Sequence, residues 1–109
     1  MTTTRKVLYG SNQSCSISTG LSASGIAVTG SGRFHGLIIK CDGTNDVTVN
    51  VYDNTAASGT QLIPTDSVFD GTIRLNSISI SPGVEYSTGL YIKIAGSGTT
   101  EIMVFYNAD

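Results

Sequence analysis

The clearest pattern in the chain runs through residues 88–106. Leu90, Ile92 and Ile94 alternate with Tyr91, Lys93 and Ala95, and beyond Gly96-Ser97-Gly98 the residues Ile102 and Val104 alternate with Glu101, Met103 and Phe105. Successive side chains of a strand point to opposite faces, so each segment has one face that must leave water. The Gly-Ser-Gly break between them predicts a β-hairpin. A lone hairpin is marginal in water, so further strands must cover its apolar face.

Upstream, residues 33–41 hold Phe34, Leu37, Ile38 and Ile39 in a near-continuous apolar run, which predicts a strand that is central or buried on both faces. Asp42-Gly43-Thr44-Asn45-Asp46 supplies turn chemistry, and the next six residues set Val47, Val49 and Val51 against Thr48, Asn50 and Tyr52. Together these predict a second hairpin. Residues 53–60 lack large apolar side chains and form a loop, and Gln61-Leu62-Ile63 is a short strand stopped by Pro64, with a further connection at 66–71. In residues 72–80, Ile73 and Leu75 share one parity and Ile78 and Ile80 the other, so a β-bulge is expected near Asn76-Ser77. Ser81-Pro82-Gly83 turns the chain into a short strand at 84–86. No stretch has a 3.6-residue period. About eight short strands without a crossover helix imply an all-β fold, an antiparallel β-sandwich of jelly-roll-like form.

The N-terminal third is thinner. Arg5, Lys6, Val7, Leu8 and Tyr9 form a strand candidate, but from Asn12 to Gly32 the sizeable apolar residues are Ile17, Leu21, Ile26 and Val28 among Ser, Thr, Gly and Ala. Two readings fit this composition: weak edge strands near 14–18 and 25–29, or an extended arm lying on a neighbouring subunit. The chain therefore divides into an N-terminal arm with weak edge strands, residues 1–32, and a β-sandwich body, residues 33–109, within a single domain.

Composition narrows the function. The 109 residues include 13 Gly, charged residues are 13% of the chain, and Ser and Thr make up roughly a quarter, a profile of short strands and tight turns. A net charge of −2 with a pI near 5.1 gives no basic footprint for nucleic acid. No apolar run approaches a membrane span. Cys15 and Cys41 have neither metal nor redox spacing; pairing stays open, with free thiols the simpler reading. His35 is the sole histidine, no Gly-x-Ser-x-Gly elbow accompanies it, and no catalytic residue is expected. Asp42, Asn45 and Asp46 are read as turn formers and not as calcium ligands. Neither a metal nor a cofactor is expected. Met103 and Phe105 lie on the parity opposite the core residues, and Phe34 likewise lies opposite Leu37 and Ile39, so these side chains either fill a second core face or form a subunit contact.

The run from Val47 to Thr60, with the Thr88-Gly-Leu-Tyr-Ile-Lys-Ile-Ala-Gly-Ser-Gly98 segment and the Val104-Phe-Tyr106 ending, resembles small structural proteins encoded by tailed bacteriophages. The resemblance covers residues 33–106. It implies a β-sandwich virion component of the decoration, or cement, type: a non-enzyme that binds the major capsid protein, associates as a homotrimer, and resides on the capsid surface after assembly in the host cytoplasm. Candidate partner contacts are Arg5, Lys6, Val7, Leu8 and Tyr9 of the arm, Asp53 and Asn54 of the loop, and Phe34, Met103 and Phe105. The competing class is a carbohydrate- or receptor-binding module of a head fibre or tail appendage, working through the 53–60 loop and the tyrosines.

Overall fold

The structure, a computed structural model, describes the backbone at residues 4–9, 13–18 and 23–109 and side chains from Ala23 onward. Nine strands make up the described chain: β1 (Thr4–Tyr9), β2 (Gln13–Ser18), β3 (Gly25–Thr29), β4 (Gly32–Lys40), β5 (Val47–Tyr52), β6 (Ser67–Phe69), β7 (Leu75–Tyr86), β8 (Gly89–Ala95) and β9 (Glu101–Ala108). No helix occurs among the described residues. The strands form a five-stranded sheet, ordered β1-β2-β9-β4-β7, and a four-stranded sheet, ordered β3-β8-β5-β6. Every pairing is antiparallel.

The pairs nest: β2 with β9, β3 with β8, β4 with β7 and β5 with β6. This is one long antiparallel ribbon folded over on itself, closed by β4 against β9 in one sheet and β5 against β8 in the other. The result is a jelly roll of eight strands with β1 added beyond β2.

Alternation predicted which side chains go inside. Val47, Val49, Val51, Leu90, Ile92, Ile102 and Val104 are fully buried and form one cluster with Phe34, Leu37 and Ile39. Ile94, expected in the core, is half-buried and packs against the cluster's margin. The predicted partners were different from those observed. The segments flanking Gly96-Ser97-Gly98 are β8 and β9, and they lie in different sheets; β4 and β5 are likewise split. Neither is a hairpin. Amphipathic strands joined by five- or six-residue connections can cross from sheet to sheet and still direct their apolar faces to the same core.

The strand boundaries between residues 61 and 86 also differ from expectation. Gln61 makes only an isolated bridge to Tyr52, while Ser67–Phe69, read as connection, is the strand that pairs with β5. Ile73 lies in the turn before β7 and is half-exposed, so Leu75–Ile80 alternates without a bulge. The register shift falls instead between Phe34 and Gly36, where β4 slips against both neighbours. Gly36 has φ +134°, and a Cβ there would run into the Ile78 carbonyl. A side chain is excluded from that crossing. Opposite the shift, the Ser81-Pro82-Gly83 bend stays within β7, because Leu75–Ser79 and Val84–Tyr86 both remain paired with β4.

Ile92 lies at the centre of this core with no exposed surface. Ile92→Ala is expected to cost ~2–5 kcal/mol, against less than ~0.5 kcal/mol for Thr99→Ala on the surface. Chemical denaturation of the two variants checks the face assignment, which fails if their midpoints shift equally.

Candidate interaction surfaces

The outer face of the five-stranded sheet follows from the register. Ile38 is the Cα partner of Met103 and Ser77, Lys40 of Glu101 and Leu75, and Gly36 of Phe105. Ile38, Met103 and Phe105 are half-buried, and Leu75 is 64% exposed. Ile38, Met103 and Phe105 give the sheet an apolar centre on its solvent side, and Leu75 stands in the end row beside Lys40. Charge brackets the strip at both strand ends. At one end Lys40 stands beside Glu101; at the other Arg33 meets Glu85 at 3.6 Å. An apolar centre with a polar rim is the anatomy of a contact surface.

Ile17 of β2 is the Cα partner of Phe105 and of Arg5. Arg5, Lys6, Val7, Leu8 and Tyr9 lie on the backbone of β1, paired with β2 at the edge of this sheet. The side chains of these five contact candidates lie outside the described residues. β2 pairs with β9 and β3 with β8, so between residues 1 and 32 the described backbone contributes three strands to the sandwich.

The other candidates separate. Met103 and Phe105 lie on the outer face as their parity predicted. Phe34 does not: it is fully buried, because the slip between Phe34 and Gly36 returns it to the core side with its partner Tyr106. Parity read across that slip misplaced it.

Asp53 and Asn54 hold loops together. The Asp53 carboxylate accepts the backbone N–H groups of Ser87 and Thr88 at 2.9 Å each and that of Gly89 at 3.5 Å, and the Ser87 hydroxyl at 3.2 Å. Burial pushes its pKa up, but the hydrogen bonds from Thr88, Ser87 and Gly89 outweigh this and hold it below the ordinary carboxylate value. Asn54 donates to the Ser58 carbonyl at 2.8 Å and accepts the Thr55 N–H at 2.8 Å, closing its own loop. The exposed tip at 55–60 is what remains there for contact.

At the opposite end of the sandwich, Asp42 Oδ1 accepts the Thr44 and Asn45 N–H groups at 2.8 Å each, and Oδ2 accepts Asn45 Nδ2 at 2.7 Å. Asp46 accepts the Gly71 N–H at 2.9 Å and so ties two connections together. These oxygens serve turns, and no group of three or more His, Cys, Asp or Glu among the described residues is placed to hold a metal. Cys41 is a buried free thiol, its pKa raised by burial. His35 lies buried at the β4 slip, and burial lowers its pKa.

Asp53→Ala is expected to destabilise the fold by about 2 kcal/mol, since three backbone donors lose a charged acceptor. The sign with pH follows from the depressed pKa. The stabilisation from Asp53 is complete above about pH 4 and is lost as the pH falls through the folded-state value. Thermal melts of the parent chain and of Asp53→Asn should therefore converge on acidification, and a constant gap from pH 7 to pH 2 would contradict the assignment.

Compared with protein-family models, with curated proteins and with solved structures, the chain finds no match in any of the three.

Proposed function

We propose that the chain is a non-enzymatic structural protein of a tailed-phage virion, a decoration protein that binds the major capsid shell and associates with itself as a trimer. The observation that carries this reading is the outer face of the five-stranded sheet. Ile38, Met103 and Phe105 form its apolar centre, exposed Leu75 flanks it, and opposed charges stand at both strand ends. Jelly rolls recur in viral capsid and lectin domains, which makes the topology compatible with the reading without singling it out. The likeness of residues 33–106 to phage structural proteins supplies the viral context.

The mechanism is mass action. A protein that binds only the assembled shell stabilises that shell by an amount that grows with its concentration over its Kd, about 2.7 kcal/mol at a hundredfold excess. A sandwich held by a continuous core can bridge neighbouring capsid subunits without deforming, so little of the contact energy is lost to ordering. Asp53 and Asn54, candidate contacts in this reading and in the competing receptor-binding one, are occupied within their own loops, so neither reading draws on them.

Two measurements test the proposal. Virions purified with and without the protein should differ by surface density and by a lower disassembly temperature when it is missing. In solution, mass measurement at micromolar concentration should give a trimer, and the double variant Met103→Ser, Phe105→Ser should give a folded monomer that no longer decorates shells. Unchanged occupancy by that variant would remove the outer face from the mechanism.

A further inference from the structure

The end of the sandwich opposite Asp53 holds a cavity of about 340 Å³ among the end of β4, the turn before β7 and the β8–β9 connection. Lys40, Asp42, Arg74, Thr99, Thr100 and Glu101 line it. Its wall is pinned. Asp42 takes three donors from its own turn, Asp46 takes the Gly71 N–H, and Asp70 takes the Thr72 N–H and hydroxyl. Gly98 packs so tightly on the Asp42 carboxylate that a Cβ there would overlap it. The β8–β9 connection is thereby held against the β4–β5 turn.

The other polar groups around the cavity are uncommitted. Among the described residues, the side chains of Lys40, Arg74, Thr99, Thr100 and Glu101 enter no ion pair or hydrogen bond. The four formal charges of the lining balance, but that of Asp42 is turned toward its own three loop donors. That leaves two cations, one carboxylate and two hydroxyls of the lining without a hydrogen-bond or ion-pair partner among the described residues. No aromatic ring lines the cavity, which argues against a stacked base. Nor is there an apolar slot for a peptide anchor.

We propose that this cavity binds a carboxylate-bearing sugar unit of an acidic polysaccharide. Arg74, with its planar fork, and Lys40 hold the carboxylate, and Thr99, Thr100 and Glu101 meet the ring hydroxyls. A guanidinium matches a carboxylate bidentately. The threonines can both donate and accept, and Glu101 can accept, as an array of sugar hydroxyls requires. Pockets for small ligands begin at roughly 300 Å³, so the space suits a single sugar unit. The site shares Lys40 and Glu101 with the charged end of the outer sheet face, whereas Arg74, Thr99 and Thr100 belong to the connections, and its test involves no capsid.

The test titrates the full chain with glucuronic acid, with glucose and inorganic phosphate in parallel, and follows backbone amide shifts by NMR. Saturable shifts confined to residues 40–45, 73–75 and 98–101 are expected, with glucuronic acid bound at least about tenfold more tightly than glucose. Arg74→Ala should weaken glucuronic acid by about tenfold or more at an unchanged unfolding midpoint. Should that variant not fold, Lys40→Gln reads the same contact. No saturable shift up to about 50 mM overturns the proposal. Equal affinity for glucose, tighter binding of phosphate, or an Arg74→Ala variant with parental affinity would also overturn it.

Discussion

Val47, Val49, Val51, Leu90 and Ile92 on one sheet and Phe34, Leu37, Ile39, Ile102 and Val104 on the other form a single buried layer, and the remaining structure depends on it. Burying a side chain of this size is worth roughly 1.5–3 kcal/mol, and ten of them together outweigh the few turn hydrogen bonds. A ribbon of nested antiparallel pairs has one apolar face, and water can be excluded from it only by bending the ribbon over itself. The bend places consecutive strands β8 and β9 in different sheets, and β4 and β5 likewise. The connections therefore collect at the two ends, while the outer faces stay open.

This explains what the sequence disclosed and what it did not. Period two reports a side chain's distance from the core, so Val47, Val49, Val51, Ile102 and Val104 were legible as core residues. It does not report the neighbouring strand, since a hairpin partner and a strand across the sandwich leave the same alternation. Gly36 was the overlooked signal. A lone glycine within an apolar run marks a slip, and counting parity through it placed Phe34 on the wrong face. Met103 and Phe105 lie on the same side of any slip as Ile102 and Val104, so their parity read correctly.

Turn chemistry was legible as turns but not as architecture. Asp53 reads locally as a loop residue, yet it spans more than thirty positions to cap Ser87, Thr88 and Gly89. Asp46 does the same for Gly71 across 25 positions. Such long-range caps leave no local pattern, because what fixes them is the folding-over of the ribbon. The end cavity was invisible for the same reason: Lys40, Arg74 and Thr100 come from three separate stretches and meet only after the sheets close.

The two ends of the sandwich have thus spent their polar groups differently. At the Asp53 end the carboxylate closes the turn between β7 and β8, and Tyr86 Oη donates to the Asn107 carbonyl at 3.2 Å, joining β7 to the last strand. At the other end the aspartates again close the turns, but Lys40, Arg74, Thr99 and Thr100 beside them do not participate. Leaving Lys40 and Arg74 out of ion pairs with Asp42 and Glu101 forgoes stabilisation that a purely structural end could take. Exposure keeps that loss small, since solvent screens it. The outer sheet face shows a parallel imbalance, with apolar Ile38, Met103 and Phe105 where polar side chains would satisfy the fold equally well. Both departures lie outside the buried core, and it is on them that the proposed capsid contact and the proposed sugar site rest.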